Sequence, residues 1–207
     1  MDSFFSDVVY QFDFSISLIK QNMLFVLTLI AGLYMIHFVN FLLDYRLNIL
    51  GIYPRHIMGL FGIFFSPFLH GNFNHLFFNS IPLFILLSFV LLYGLPTFLS
   101  VTLTIMVVGG LGTWLFGRKA LHIGASGVIM GYWSYLLLNA YQQPSIVSIA
   151  LGVVCVYYFG SLILNLLPLE ARSSFEAHIF GFLGGIAAYF TTPYLLNGVF
   201  FQGLNWL

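Results

Sequence analysis

Ser126 has the strongest chemical setting in this chain. It stands in LHIGASGVIMG (Leu121 to Gly131), between Gly124-Ala125 and Gly127, where the polar stretch Gly117-Arg118-Lys119 gives way to an apolar run. Small neighbours leave room for substrate or backbone beside the hydroxyl. A helix beginning there aims unpaired N–H groups and the positive end of its dipole at the same oxygen, which suits a developing oxyanion. The chemistry implied is attack on a carbonyl carbon, and such a nucleophile needs a base.

His178, in FEAHIFGFLGGIAA, is the candidate base. Gly181 and Gly185 follow it at i+3 and i+7, on one helical face. Gly127 and Gly131 form a small-xxx-small pair beside Ser126, and two glycine-faced helices can approach closely. That approach brings an imidazole to the hydroxyl, where it can take the proton and return it to a leaving amine. The same pattern also fits a glycine seam with a packing histidine. Glu176 lies two residues before His178 and points off its face, which makes it structural or interfacial.

A third group is HGNFNHLFFNS. His75 and Asn79 are i,i+4 and face one way, with His70 just outside. They are donors for an oxyanion hole completed by the Ser126 N–H, or else a polar clamp between helices. A metal site built from His70, His75 and His122 or His178 has little support. Histidines at i,i+5 share a face poorly and no carboxylate or thiolate joins them. No metal or cofactor is expected.

The elements that position these residues must lie in a bilayer. The chain has 207 residues, of which 60% are hydrophobic and 6% charged, against roughly 25% charged in soluble domains. Net charge is zero and the six Lys and Arg are scattered, so no nucleic-acid surface is expected. The lone Cys155 sits in an apolar run and reads as a packed thiol that excludes an internal disulfide. The N-terminus opens with Asp2, Asp7 and Asp13 and shows no cleavable signal.

Spans need about 20 apolar residues. Six are predicted: Met23 to Leu43 (with polar His37 and Asn40), His75 to Tyr93, Pro96 to Phe116, Ser126 to Tyr141, Ser145 to Leu167 and Ala177 to Leu195. Residues 1–22 form a short arm, 23–196 one domain, and 197–207 a tail that can rest in the interface through its aromatics. The connection from Asp44 to Gly71 is apolar but broken by Gly51, Pro54, Gly59, Gly62 and Pro67, which suits a segment seated in one leaflet. The fourth span is short, so Ser126 is expected below the lipid surface. A helix start at that depth requires protein or water around it, hence a hydrated cavity.

Three pieces carry a resemblance: PFLHGNFNHLFFN (Pro67 to Asn79), WLFGRKALHIGASG (Trp114 to Gly127) and FEAHIFGFLGG (Phe175 to Gly185). In this order, on the second, fourth and sixth helices, they resemble the bacterial rhomboid intramembrane serine proteases across nearly the whole chain. The resemblance implies an all-α bundle of six transmembrane helices with a membrane-embedded first loop and a short fourth helix. It implies that Ser126 is the nucleophile and His178 its base, with no acid completing a triad. It makes His75 and Asn79 oxyanion donors, with His70 and Gly124 as auxiliary residues. The substrates implied are single-span membrane proteins, cut near the end of their transmembrane helix. The gate is expected at the fifth helix and at a cap from Pro168 to Ser174, whose proline, arginine and serines are loop chemistry.

Two positions depart from the family pattern. Met130 stands four after the serine, where an aromatic often stacks on the histidine; its thioether can still pack against the ring edge. Leu60-Phe61-Gly62-Ile63 replaces the Trp-Arg pair of some relatives, so the first loop is expected to anchor through aromatics alone. An inactive relative that binds membrane segments is the alternative. A transporter is disfavoured, because the halves show no inverted repeat and no intramembrane carboxylate pair. Arg46, Arg55, Arg118, Lys119 and Arg172 lie on the loop side and only Lys20 on the terminal side, so the positive-inside rule places the loops in the cytoplasm. The resemblance implies the opposite: a bacterial inner-membrane protein with cytoplasmic termini.

Overall fold

Helix α1 (Asp2–Leu42) is continuous over 41 residues, about 60 Å at the usual rise. No glycine occurs before Gly32 and no proline before Pro54, so nothing in the expected arm stops the helix, and residues 2–22 continue the helix of the first span. It ends where Asp44 and Tyr45 turn to positive φ (50° and 59°). There the Tyr45 N–H returns to the Asn40 carbonyl at 2.8 Å, while the Asn40 side chain accepts from the Leu47 N–H and donates to Asn48. A polar residue inside a span thus serves as the staple of its own helix end.

The computed structural model describes residues 2–167 and 174–197. All of the expected cap except Ser174, and all of the expected tail except Asn197, lie outside the described residues.

The first loop winds through a 3-10 turn (Arg46–Leu50), the short helix α2 (Ile57–Phe65) and a second 3-10 turn (Ser66–Phe68). It is folded tightly on itself, since a methyl group at Gly62 would strike the backbone of Gly51 and Ile52. Ile57, Met58, Phe61, Phe64 and Phe65 face outward, an apolar outer surface suited to lipid.

The remaining helices are α3 (Phe73–Leu91), α4 (Leu95–Phe116), α5 (Ser126–Gln142), α6 (Ile146–Phe159) and α7 (Phe175–Asn197). Asn72 caps α3 by accepting from the His75 N–H, and Ser145 and Ser148 form a capping box on α6. The fifth span is α-helical only to Phe159, after which Gly160–Leu166 tightens into 3-10 geometry. Five helices are long and apolar enough to cross a membrane, and α5, at 17 residues, is the short sixth. The chain is an all-α, multi-pass membrane bundle. Among the described residues extended pairing is confined to one isolated bridge, Ile52 with His122.

Helix α7 packs chiefly on α4 and α5. Methyl groups at Gly181 and Gly185 would meet the carbonyls of Gly127 and Gly131, and one at Gly184 would lie 3.1 Å from the Ile105 Cα. The seam is therefore backbone against backbone. Away from it, Leu76, Leu86, Val90, Val101, Tyr132 and Leu136 fill the interior.

Candidate active site

Ser126 is the first residue of α5 and has no carbonyl within its own helix for its N–H. His178 lies in the first turn of α7. Because the two helices meet through glycines, these side chains can touch, and the His178 Nε2 is 2.9 Å from the Ser126 Oγ. His178 is buried, so the pair is largely shielded from the surroundings.

The loop ahead of Ser126 is held by the first loop. The Gly124 N–H donates to the Ser66 carbonyl at 2.9 Å, and the Ala125 N–H points at the His70 Nε2 at 3.5 Å. Gly124 adopts φ +119°, and a methyl group on it would sit 2.7 Å from the His75 ring and 3.5 Å from the Asn79 Nδ2. Gly124 therefore contributes space, because its own N–H is already engaged. His75 and Asn79 both face it, and the Asn79 Nδ2 is buried without a hydrogen-bond partner among the described residues. A buried amide donor aimed beside a serine is costly unless something accepts from it.

His70 is wholly buried and its ring lies 5.1 Å from that of His75. Burial first, then the like charges of His75 and His37, pull its pKa down to about 3, against a raising influence of the Phe68 carbonyl. It is a neutral ring that accepts at Nε2. His37, a polar member of the first span, is buried close enough to act on His70, and its Nδ1 also lacks a partner among the described residues.

His122 is a second buried ring, for which sequence alone supports no role beyond a disfavoured metal site. Its Nε2 faces the Arg118 carbonyl at 3.1 Å and its Nδ1 the Ser174 Oγ at 3.0 Å. Only Nε2–H can donate to a carbonyl, so the neutral ring accepts the Ser174 hydroxyl at Nδ1. Burial lowers its pKa. Its backbone forms the bridge to Ile52, with N–H to carbonyl distances of 2.9 and 3.0 Å. Arg55 adds two bonds, from Nη1 to the carbonyls of Leu115 and Gly117. These contacts tie the first loop to the loop that carries Ser126. Their partners lie 60 to 70 positions apart in the chain, so no local pattern announces them.

A cavity of about 40 Å³ reaches Ser126, with Ser66, Thr113, His122, Gly124 and Gly181 in its wall. A water requires about 10–15 Å³ of such space and two or more polar partners. The volume meets the first requirement, and the lining includes the hydroxyl residues Ser66, Thr113 and Ser126. Among the described residues no group of three His, Cys, Asp or Glu could hold a metal. Met130 is buried in the core.

Comparison with known proteins adds an independent finding. The family model described as Rhomboid domain matches residues 57–194, which include all of these site residues except His37, Ile52 and Arg55. Uncharacterized proteins of Mycobacterium tuberculosis and Mycobacterium bovis are each 35% identical over 181 residues, covering 83% of this chain and 74% of each relative. One from Mycobacterium leprae is 33% identical over 181 residues, covering 83% of this chain and 70% of its own.

Proposed function

This chain belongs to the rhomboid family, a family of intramembrane proteases and inactive relatives, and from that premise we propose that it is an active intramembrane serine endopeptidase working by a Ser126–His178 dyad. The observation that carries the reading is the 2.9 Å contact between the Ser126 Oγ and the His178 Nε2, a hydrogen-bonded nucleophile and base.

In this reading the Ser126 Oγ attacks the scissile carbonyl carbon as His178 Nε2 takes the hydroxyl proton. The carbonyl oxygen becomes an oxyanion facing the Ser126 N–H, His75 and the Asn79 amide. The donor left without a partner at Asn79 supports this role, because it gains an acceptor only when charge develops. Collapse breaks the C–N bond, and His178 returns its proton to the leaving amine. A water activated by the freed imidazole then hydrolyses the acyl-enzyme. His70 keeps the loop in place through Ala125 and has no direct part in the proton transfers.

The substrates proposed are single-span membrane proteins, cut within or near their transmembrane helix after local unwinding. The protease unit proposed is 23–196, with 1–22 and 197–207 as arm and tail, in a bacterial inner membrane with cytoplasmic termini. Two of the bases that argue for the opposite orientation are engaged in the fold: Arg55 caps carbonyls and Arg118 meets Glu176 at 3.5 Å. Single cysteines placed at either terminus test the orientation. They should react with a membrane-impermeant maleimide only after permeabilisation, and labelling of intact cells overturns it.

Cleavage of a single-span reporter and labelling by a fluorophosphonate probe test the activity together. Wild-type protein should do both, Ser126→Ala neither. Full cleavage by Ser126→Ala ends the nucleophile assignment. A folded wild type that neither cleaves nor labels is the inactive relative.

A further inference from the structure

We propose that Glu176 is a positioning residue for His178, fastening the loop that delivers the nucleophile to the helical turn that delivers the base; this rests on the dyad reading above. The sequence separates Glu176 from His178 by two positions, and on a helix such residues do not share a face. Its carboxylate turns instead toward the loop between α4 and α5. The Oε1 accepts from the Arg118 backbone N–H at 3.2 Å and lies 3.5 Å from the Arg118 Nε. The Arg118 guanidinium also sits over the Phe175 ring, 5.5 Å from its centre.

The same junction is closed from the other side by His122. Its Nε2 bonds the carbonyl of Arg118, and its Nδ1 bonds Ser174, the residue just ahead of α7. The loop residue Arg118 is thereby gripped at N–H and C=O together, and residues 174 to 176 supply or complete both grips. Ser126 leaves this loop eight residues after Arg118, and His178 leaves α7 two residues after Glu176. Fixing Arg118 against Glu176 therefore fixes the two ends of the 2.9 Å dyad contact.

A role in stability alone does not account for the carboxylate. Glu176 is 7% exposed, and its Oε2 is buried without a hydrogen-bond partner among the described residues. A buried charge with an unsatisfied oxygen is weak as a stabilising device compared with an apolar side chain of the same size. What it supplies is geometry, from an acceptor that reaches a backbone N–H on a neighbouring loop.

The test uses the full-length protein in detergent or proteoliposomes, with concentration normalised to folded protein. Glu176→Ala should lower kcat for a single-span reporter by about tenfold to a hundredfold, the range for losing a hydrogen bond to a charged group, with KM little changed. Glu176→Gln, which keeps an acceptor oxygen for the Arg118 N–H, should recover most of that loss. A merely structural residue would change the folded fraction and leave kcat per folded molecule alone. Wild-type kcat in folded Glu176→Ala overturns the proposal, as does equal loss in the Gln and Ala variants. If neither variant folds, Glu176→Asp, which keeps a carboxylate but draws it back by one methylene from the Arg118 N–H, must lower kcat in the same way, and wild-type kcat there overturns it. If the wild type itself neither cleaves nor labels, the dyad reading fails separately. The clamp is then read from amide exchange over residues 117–125, which should accelerate in Glu176→Ala, and unchanged exchange overturns it.

Discussion

Gly181 on α7 and Gly127 on α5 are in such close contact that a methyl group on the first would run into the carbonyl of the second. No side chain separates the two backbones at the level of the dyad. The distance between the helices there sets the distance between the Ser126 hydroxyl and the His178 ring, the proposed reacting groups. Gly181→Ala is accordingly expected to push α7 away from α5, costing about 1–3 kcal/mol of stability and most of the activity. Thermal unfolding in detergent and reporter cleavage per folded molecule measure the two effects; wild-type turnover in this variant would mean that the seam does not set the dyad.

Asn79 offers a sharper probe of the proposed oxyanion site. Removing one such donor typically costs about 10²–10³ in kcat, and Asn79→Ala should fall in that range with KM nearly unchanged. Its fluorophosphonate labelling should slow in parallel, since that reaction also develops charge on oxygen. A variant that loses binding and keeps kcat would mark Asn79 as a packing residue.

Gly124→Ala is expected to be more damaging than its size suggests. The position holds φ +119°, where an L side chain is strained, and the new methyl would meet the His75 ring at 2.7 Å. Both effects bear on the same turn. Cleavage should fall by at least about tenfold, the equivalent of about 1.4 kcal/mol, while unfolding measurements show a smaller relative change. Normal cleavage would show that His75 is free to move aside.

The buried histidines make stability depend on pH in one direction. Burial holds the His70 pKa at about 3 in the folded chain, below the ordinary value of about 6.5. The unfolded state then binds more protons as pH drops, so the stability due to the neutral ring is complete above about 6.5 and is lost progressively toward 3. His122 is shifted the same way by burial. Unfolding temperatures should therefore decline from pH 7.5 to pH 5, and His70→Asn should flatten the slope. Equal slopes in the two proteins would remove His70 from the account.

The helices and their glycine faces were legible because both are periodic. Gly127 and Gly131, and Gly181 and Gly185, repeat at four residues, and that spacing alone aligns two backbones. Residues 1–22 read as an arm because the stretch is polar as well as aromatic, whereas a helix tolerates polar residues and α1 starts at Asp2. Helix and bilayer are separate matters there. The clip made by Ile52, Arg55 and His122 was not legible. Backbone groups supply most of its partners, and a carbonyl has no side chain to betray it. Glu176 was half legible: its position relative to His178 followed from helical geometry, but its partner is the N–H of Arg118, which any residue except proline would offer.

Helix α5 has 17 residues, about 25 Å of rise, against a hydrocarbon layer of about 30 Å. It cannot place one end at each lipid surface, and the end that carries Ser126 opens into a walled cavity. In the proposed protease, the address of the cut is a depth. A substrate is selected by which of its peptide bonds hangs at that level of the membrane in an unwound state, so sliding the same residues up or down the bilayer should redirect the scissors without altering the letters they read.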